Sequence, residues 1–184
     1  MKLVETVLTD AHIVEPSINF DERGYFYESF NSKAFDSLIG KTINFVQDNQ
    51  SLSSKGTLRG LHFQQHPTSQ SKLVRVIKGS VFDVAVDLRY ESPTYKKSFT
   101  IELSEKNNLQ FFIPKGFAHG FLALEEDTIL SYKVDNYYSK IDDRGIKWDD
   151  PDLSINWPDI EKKFSARDCS LPFLKSFEFK DLFD

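Results

Sequence analysis

Cysteine is almost missing from this chain. Cys169 is the only one in 184 residues, so no disulfide can form within the chain. Basic residues are in the minority, 23 Lys and Arg against 28 Asp and Glu, giving a net charge of −5. Wholesale binding of nucleic acid goes with a basic surface and is not expected, although local basic clusters could still hold a phosphate. No apolar run reaches the roughly 18 residues of a membrane-spanning helix, and Met1-Lys2-Leu3-Val4-Glu5 lacks the apolar stretch of a secretory leader. A cytoplasmic protein with no membrane partner is the expectation. The eight Gly and seven Pro are scattered, and there is no low-complexity tract and no repeat with a period of about 20–50 residues.

The chain does have the means to build a core. Forty per cent of its residues are hydrophobic, 17 of them Phe. A chain of this length fits one domain, residues 1–184, burying roughly 70% of its unfolded surface. The pattern is one of short strands. Thr57 to Gln64 reads as one strand. Ser71 to Ile77 and Ser80 to Leu88 read as a hairpin about Lys78-Gly79, since Gly accepts the positive φ of a tight turn. Phe99 to Leu103 with Leu109 to Ile113, and Gly120 to Leu124 with Ile129 to Asn136, read as two further pairs. Lys33 to Ile39 reads as a helix, and a short one is expected near Asp159 to Phe164. Many closely spaced strands point to an all-β sandwich or barrel.

Several polar residues fall within these strands. Gln47, Asn49 and Ser51 share one face of a strand, either a solvated edge or a polar strip inside a barrel. Arg59 and His62 interrupt an apolar run, and strict alternation puts them on opposite faces. Gly60 lies between them, where a bulge would bring both to one side. Lys72 shares a face with Val74 and Val76. An unpaired ammonium is costly to bury there, so it points outward or meets an anion or an enolate oxygen, with Asp83 or Asp87 available to balance it. Pro114-Lys115-Gly116-Phe117-Ala118-His119 has the Pro-x-Gly-x-x-His spacing of the second cupin motif. The four histidines, His12, His62, His66 and His119, contain no His-x-His, so the three-histidine set of a metal cupin is not expected. Tyr132 is either a core tyrosine or a proton donor. Ser165-Ala166-Arg167-Asp168 supplies a carboxylate near the C-terminus.

Seven blocks, in order from about residue 20 to 168, carry a resemblance. They are Arg23–Glu28, Gln47-Asp48-Asn49, Leu58–His62, Lys72–Val76, Phe82–Arg89, Ile113–Phe121 and Gly145–Trp148. Together they resemble the dTDP-4-dehydrorhamnose 3,5-epimerase family. The resemblance implies a cupin-type jelly-roll β-barrel with a few short helices, a dTDP-sugar substrate, no cofactor and no metal. It implies His62 as general base oriented by Asp168, Tyr132 as general acid on the other face of the sugar, and Lys72 at the enolate oxygen. Arg23 and Arg59 would bind the diphosphate. Glu28, Gln47, Asp48 and Asn49 would meet the nucleotide end, His119 the region of sugar and phosphate, and Tyr138 would stack on thymine. Arg23 would come from a partner subunit, in a homodimer with exchanged N-terminal strands. Asp143 stands where the family more often has Glu, and Arg167 where it more often has Lys, and both keep their charge at the substrate.

The implied reaction suits these residue types. A C4 ketone acidifies the hydrogens on C3 and C5. A base such as histidine removes one, a fixed cation meets the charge growing on O4, and an acid on the far face returns a proton with inversion. Guanidinium forks match the oxygens of two phosphates. The same residues would also serve an epimerase acting at C3 or C5 alone. A non-catalytic nucleotide-sugar-binding cupin should have lost His62, Tyr132 or Asp168, and all three are present. Cys169 has no role in such a mechanism.

Overall fold

The computed structural model describes residues 1–178 and 183. In chain order it forms β1 (Lys2–Glu5), β2 (His12–Glu15), β3 (Asn19–Asp21), β4 (Gly24–Phe26), α1 (Ser32–Ile39), β5 (Gln47–Ser53), β6 (Leu58–Gln64), β7 (Lys72–Lys78) and β8 (Ser80–Asp87). Then come β9 (Ser98–Ser104), β10 (Gln110–Ile113), β11 (Phe117–Ala123), β12 (Thr128–Val134), β13 (Asp143–Gly145) and α2 (Ala166–Cys169). Antiparallel pairing orders them into a six-stranded sheet, β1-β2-β10-β7-β12-β5, a five-stranded sheet, β13-β6-β11-β8-β9, and the separate hairpin β3-β4. The two large sheets make the cupin-type jelly roll that the resemblance implied.

The three expected hairpins are not hairpins. β7 pairs with β10 and β12, whereas β8 pairs with β11 and β9. Gly79 therefore carries the chain from one sheet to the other. In the same way β9 leads to β10 and β11 to β12 across a corner between sheets. Locally the two cases look alike, because a turn flanked by inward-facing apolar residues satisfies burial either way. The corner still demands glycine. Gly79 has φ +78°, and a Cβ there would lie 2.6 Å from the Thr128 hydroxyl. No helix forms at Asp159 to Phe164. Lys163 bridges to Thr57 instead, with its backbone N–H donating to Gly56 and its carbonyl accepting from Leu58.

Inward-facing residues of both sheets make the central core, among them Val74, Val76, Val81, Ala85, Leu103, Phe111, Phe117 and Leu130. At roughly 1.5–3 kcal/mol per buried large apolar side chain, this layer is a main source of stability. A second cluster, with Leu61, Phe63, Val84, Val86 and Ile146, sits under the C-terminal segment, where Leu153 and Leu174 close it. The third joins helix α1 to the outer face of the six-stranded sheet through Phe35, Leu73 and Phe112. α1 starts where the Asn31 side chain accepts from the Ala34 N–H at 3.1 Å and ends at Gly40, whose N–H returns to the Asp36 carbonyl. The only fully buried residue on its core side is Phe35.

Candidate active site

The central cavity, about 460 Å³, opens between the two sheets at the end where β6, β11 and β12 carry polar residues. β6 carries the bulge that bringing Arg59 and His62 to one side requires. His119 pairs with His62 and Phe121 with Arg59, so Gly60 and Leu61 stand opposite the single Gly120. Gly60 has φ +125°, and a Cβ on it would meet Gly120 Cα at 2.6 Å and the His119 carbonyl at 2.8 Å. The extra residue turns both Arg59 and His62 toward the cavity.

His62 Nε2 lies 2.5 Å from Asp168 Oδ1. The other carboxylate oxygen accepts from the Ser165 hydroxyl at 2.7 Å, and that hydroxyl in turn accepts from the Asp168 N–H, capping α2. Burial works against a charged Asp168. The bonds from His62 and Ser165 and the charge on Arg167 more than offset it, holding the carboxyl below its ordinary range. With the Nε2–H donating to the Asp168 carboxylate, the imidazole lone pair is on Nδ1.

Tyr132 looks across from the opposite sheet, on β12. Burial raises its phenol, and the Asp143 charge adds to this, so it stays protonated at neutral pH even with Arg59 nearby. Lys72 lies between. It is 9% exposed and its ammonium donates to the His62 carbonyl at 3.4 Å. Burial lowers it from 10.5 to about 8, against the pull of Asp83 and Asp143. Asp83, fully buried, accepts from His119 Nε2 at 3.0 Å. Burial nevertheless pushes the His119 imidazole down from its usual range, with Lys72 and His62 adding to the effect.

The mouth carries Tyr138, Asp143 and Arg167. Asp143 accepts from the Tyr138 hydroxyl at 3.0 Å and from Arg167 at 2.8 Å. Arg59 is held by the Ser53 hydroxyl and the Leu52 carbonyl. Asn49 and Ser51 line the cavity from β5, as the polar-strip reading requires, and Gln47 donates to Asn49 at 2.8 Å. Among the described residues the buried Ser51 hydroxyl has no protein partner. Asp87 does not balance Lys72, because it is taken up by Arg89, Ser92 and Thr94.

Four expected binding residues do not line the cavity, and of these Gln47 reaches it only through its bond to Asn49. Asp48 points to the outer face and pairs with Lys133 at 2.9 Å, since alternation along β5 sends it away from Gln47 and Asn49. Arg23 sits at the tip of the β3-β4 hairpin, bonded to Asp21. Glu28 is exposed and accepts from Asn31. Ser165, Gln64 and Gln70 also line the cavity, with no role expected of them from the sequence. Ser165-x-x-Asp168 carries a legible signal, the spacing of a capping box.

The family model described as dTDP-4-dehydrorhamnose 3,5-epimerase matches residues 5–176. The dTDP-4-dehydrorhamnose 3,5-epimerase of Shigella flexneri is 48% identical over 170 residues, covering 92% of this chain and 94% of its own. The crystal structure of the enzyme of that name from Elizabethkingia anophelis superposes with a TM-score of 0.92 at 50% identity, covering 96% of this chain and 97% of that one. A dTDP-6-deoxy-D-glucose-3,5-epimerase from Legionella pneumophila, solved in complex with dTDP-4-keto-L-rhamnose, superposes with a TM-score of 0.94 at 44% identity, covering 99% and 97%.

Proposed function

The chain belongs to the dTDP-4-dehydrorhamnose 3,5-epimerase family, and on that premise we propose how its cavity inverts two carbons of one sugar. The protein is an isomerase. It converts dTDP-4-keto-6-deoxy-D-glucose to dTDP-4-keto-L-rhamnose, in the biosynthesis of dTDP-L-rhamnose. The observation that carries the residue roles is the placement of His62, with its Asp168 bond, and Tyr132 on facing sheets of one cavity.

The His62 imidazole takes the proton from C3 or C5, and the C–H electrons move into the ring as an enolate with its charge on O4. Lys72 stabilises that oxygen. The Tyr132 phenol then gives its proton to the carbanion carbon from the opposite face, which inverts the centre. Asp168 fixes the tautomer and supports the imidazolium as it forms. The ketone holds the charge throughout, so inversion consumes no reductant and needs no electron carrier. Arg59 takes the diphosphate, His119 the region where phosphate meets sugar, Asn49 and Gln47 the nucleotide end, and Tyr138 stacks on the base beside Asp143 and Arg167.

Arg23 and Glu28 act on a second copy of the chain. The β3-β4 hairpin supports this reading: Phe20, Tyr25 and Phe26 are 75%, 57% and 71% exposed, an apolar cluster that suits a protein contact. The working unit is then a homodimer that exchanges N-terminal segments.

Proton NMR of the substrate with enzyme in D₂O tests the chemistry. Deuterium is expected at both C3 and C5. Deuterium at one carbon alone would move the assignment to a single-centre epimerase, and none at either would sink the enolate.

A further inference from the structure

Gln64, the last residue of β6, is 5% exposed and belongs to none of the steps above. All of its side-chain polar atoms are spent on backbone. Its Nε2 donates to the carbonyls of Thr68, at 2.7 Å, and Tyr137, at 3.3 Å, while its Oε1 accepts from the Ser139 N–H at 2.6 Å. The two grips on residues 137 and 139 lie on either side of Tyr138. Tyr138 itself is 57% exposed and, among the described residues, its side chain has a single hydrogen bond, to Asp143. One buried amide thus sets the backbone on both flanks of an exposed aromatic side chain at the cavity mouth. The neighbouring loop leans on the same segment, since Asp142 accepts from the Thr68 and Ser139 hydroxyls.

We propose that Gln64 is a positioning residue for nucleotide recognition: it clamps the 137–139 backbone and so pre-orients the Tyr138 ring for the base. The proposal rests on the reading of Tyr138 as the base-stacking residue. A fixed aromatic platform avoids the ordering cost that a mobile one incurs on every binding event. Gln64 has both its N–H donors and its carbonyl oxygen already engaged with backbone. Its loss should therefore weaken binding of the nucleotide and leave the proton transfers alone.

The test uses dTDP as the probe, with its Kd from calorimetry, and steady-state kinetics with the full substrate. Gln64→Leu unpairs two carbonyls and an N–H, so roughly a tenfold rise in the Kd for dTDP and in KM is expected, with kcat within about threefold of wild type. In a Tyr138→Ala background, Gln64→Leu should add nothing further. Gln64→Glu, isosteric and able to donate only when protonated, should bind dTDP closer to wild type at pH 5 than at pH 8, each normalised to wild type at that pH. This variant also serves if Gln64→Leu fails to fold. A fall in kcat with unchanged Kd, or effects of Gln64→Leu and Tyr138→Ala that multiply in full, would overturn the clamp. Tyr138→Ala alone with unaltered dTDP affinity would overturn the stacking reading beneath it.

Discussion

Lys72 is where catalysis and stability pull against each other, and replacing it with Met separates them. Burial lowers its amine from 10.5 to about 8. At about 1.4 kcal/mol per unit, the folded state forgoes about 3 kcal/mol while that amine is charged. Below about pH 8 both folded and unfolded chains hold the proton, and the whole penalty is present. Between pH 8 and 10.5 the unfolded chain keeps a proton that the folded one has lost, so wild-type stability rises with pH through that window. Above it the penalty is gone. Met keeps an unbranched apolar stem and drops the charge, but it also strips buried Asp83 of a nearby cation. The net expectation at pH 7 is a gain of about 1–3 kcal/mol, or roughly 5 °C in Tm, together with at least a 100-fold fall in kcat. Urea unfolding of both proteins at pH 7 and pH 9.5 measures it. The gap between variant and wild type should narrow at the higher pH. A less stable variant at pH 7, or a gap that does not change with pH, would refute the reasoning.

The proton-transfer roles can be read in turnover. His62→Ala should remove product formation, a loss of at least about 100-fold, in a protein that still folds. Tyr132→Phe should cut product more than it cuts deuterium exchange at C3, and equal losses would contradict its assignment as the acid. Gly60→Ala places a methyl against Gly120 and the His119 carbonyl at positive φ. It should cost about 2–5 kcal/mol of stability in chemical denaturation, and a cost under about 0.5 kcal/mol would remove the bulge argument.

Much of the site was legible before the fold. Alternation in Gln47 to Ser51 left two readings, a solvated edge or a polar strip, and the cavity settles it for Asn49 and Ser51, while Gly60 between Arg59 and His62 marked where a bulge could turn both inward. A lysine on a face with two valines had to point outward or meet an anion, and the fold buries it. These are consequences of period and side-chain type, and they need no knowledge of partners far along the chain. Asp48 shows the limit within a single strand, since alternation alone already sent it outward while the motif around it suggested otherwise.

The sequence by itself determined that the chain would make short strands, where β5 to β12 fall to within a few residues though not β1 to β4 or β13, and which residues would be costly to bury without a task. Only the tertiary structure decided which sheet each strand joins. A turn such as Gly79 allows both a hairpin and a corner, and the choice is made by pairing with strands far away in sequence, β10 and β12 on one side and β11 and β9 on the other. That choice sets His62 and Tyr132 on facing walls. The fold also brings Asp168 across 106 residues to His62 and lets Gln64 grip a loop more than 70 residues away. Contacts of that kind depend on how the sheets close on one another, and a local pattern holds no record of them.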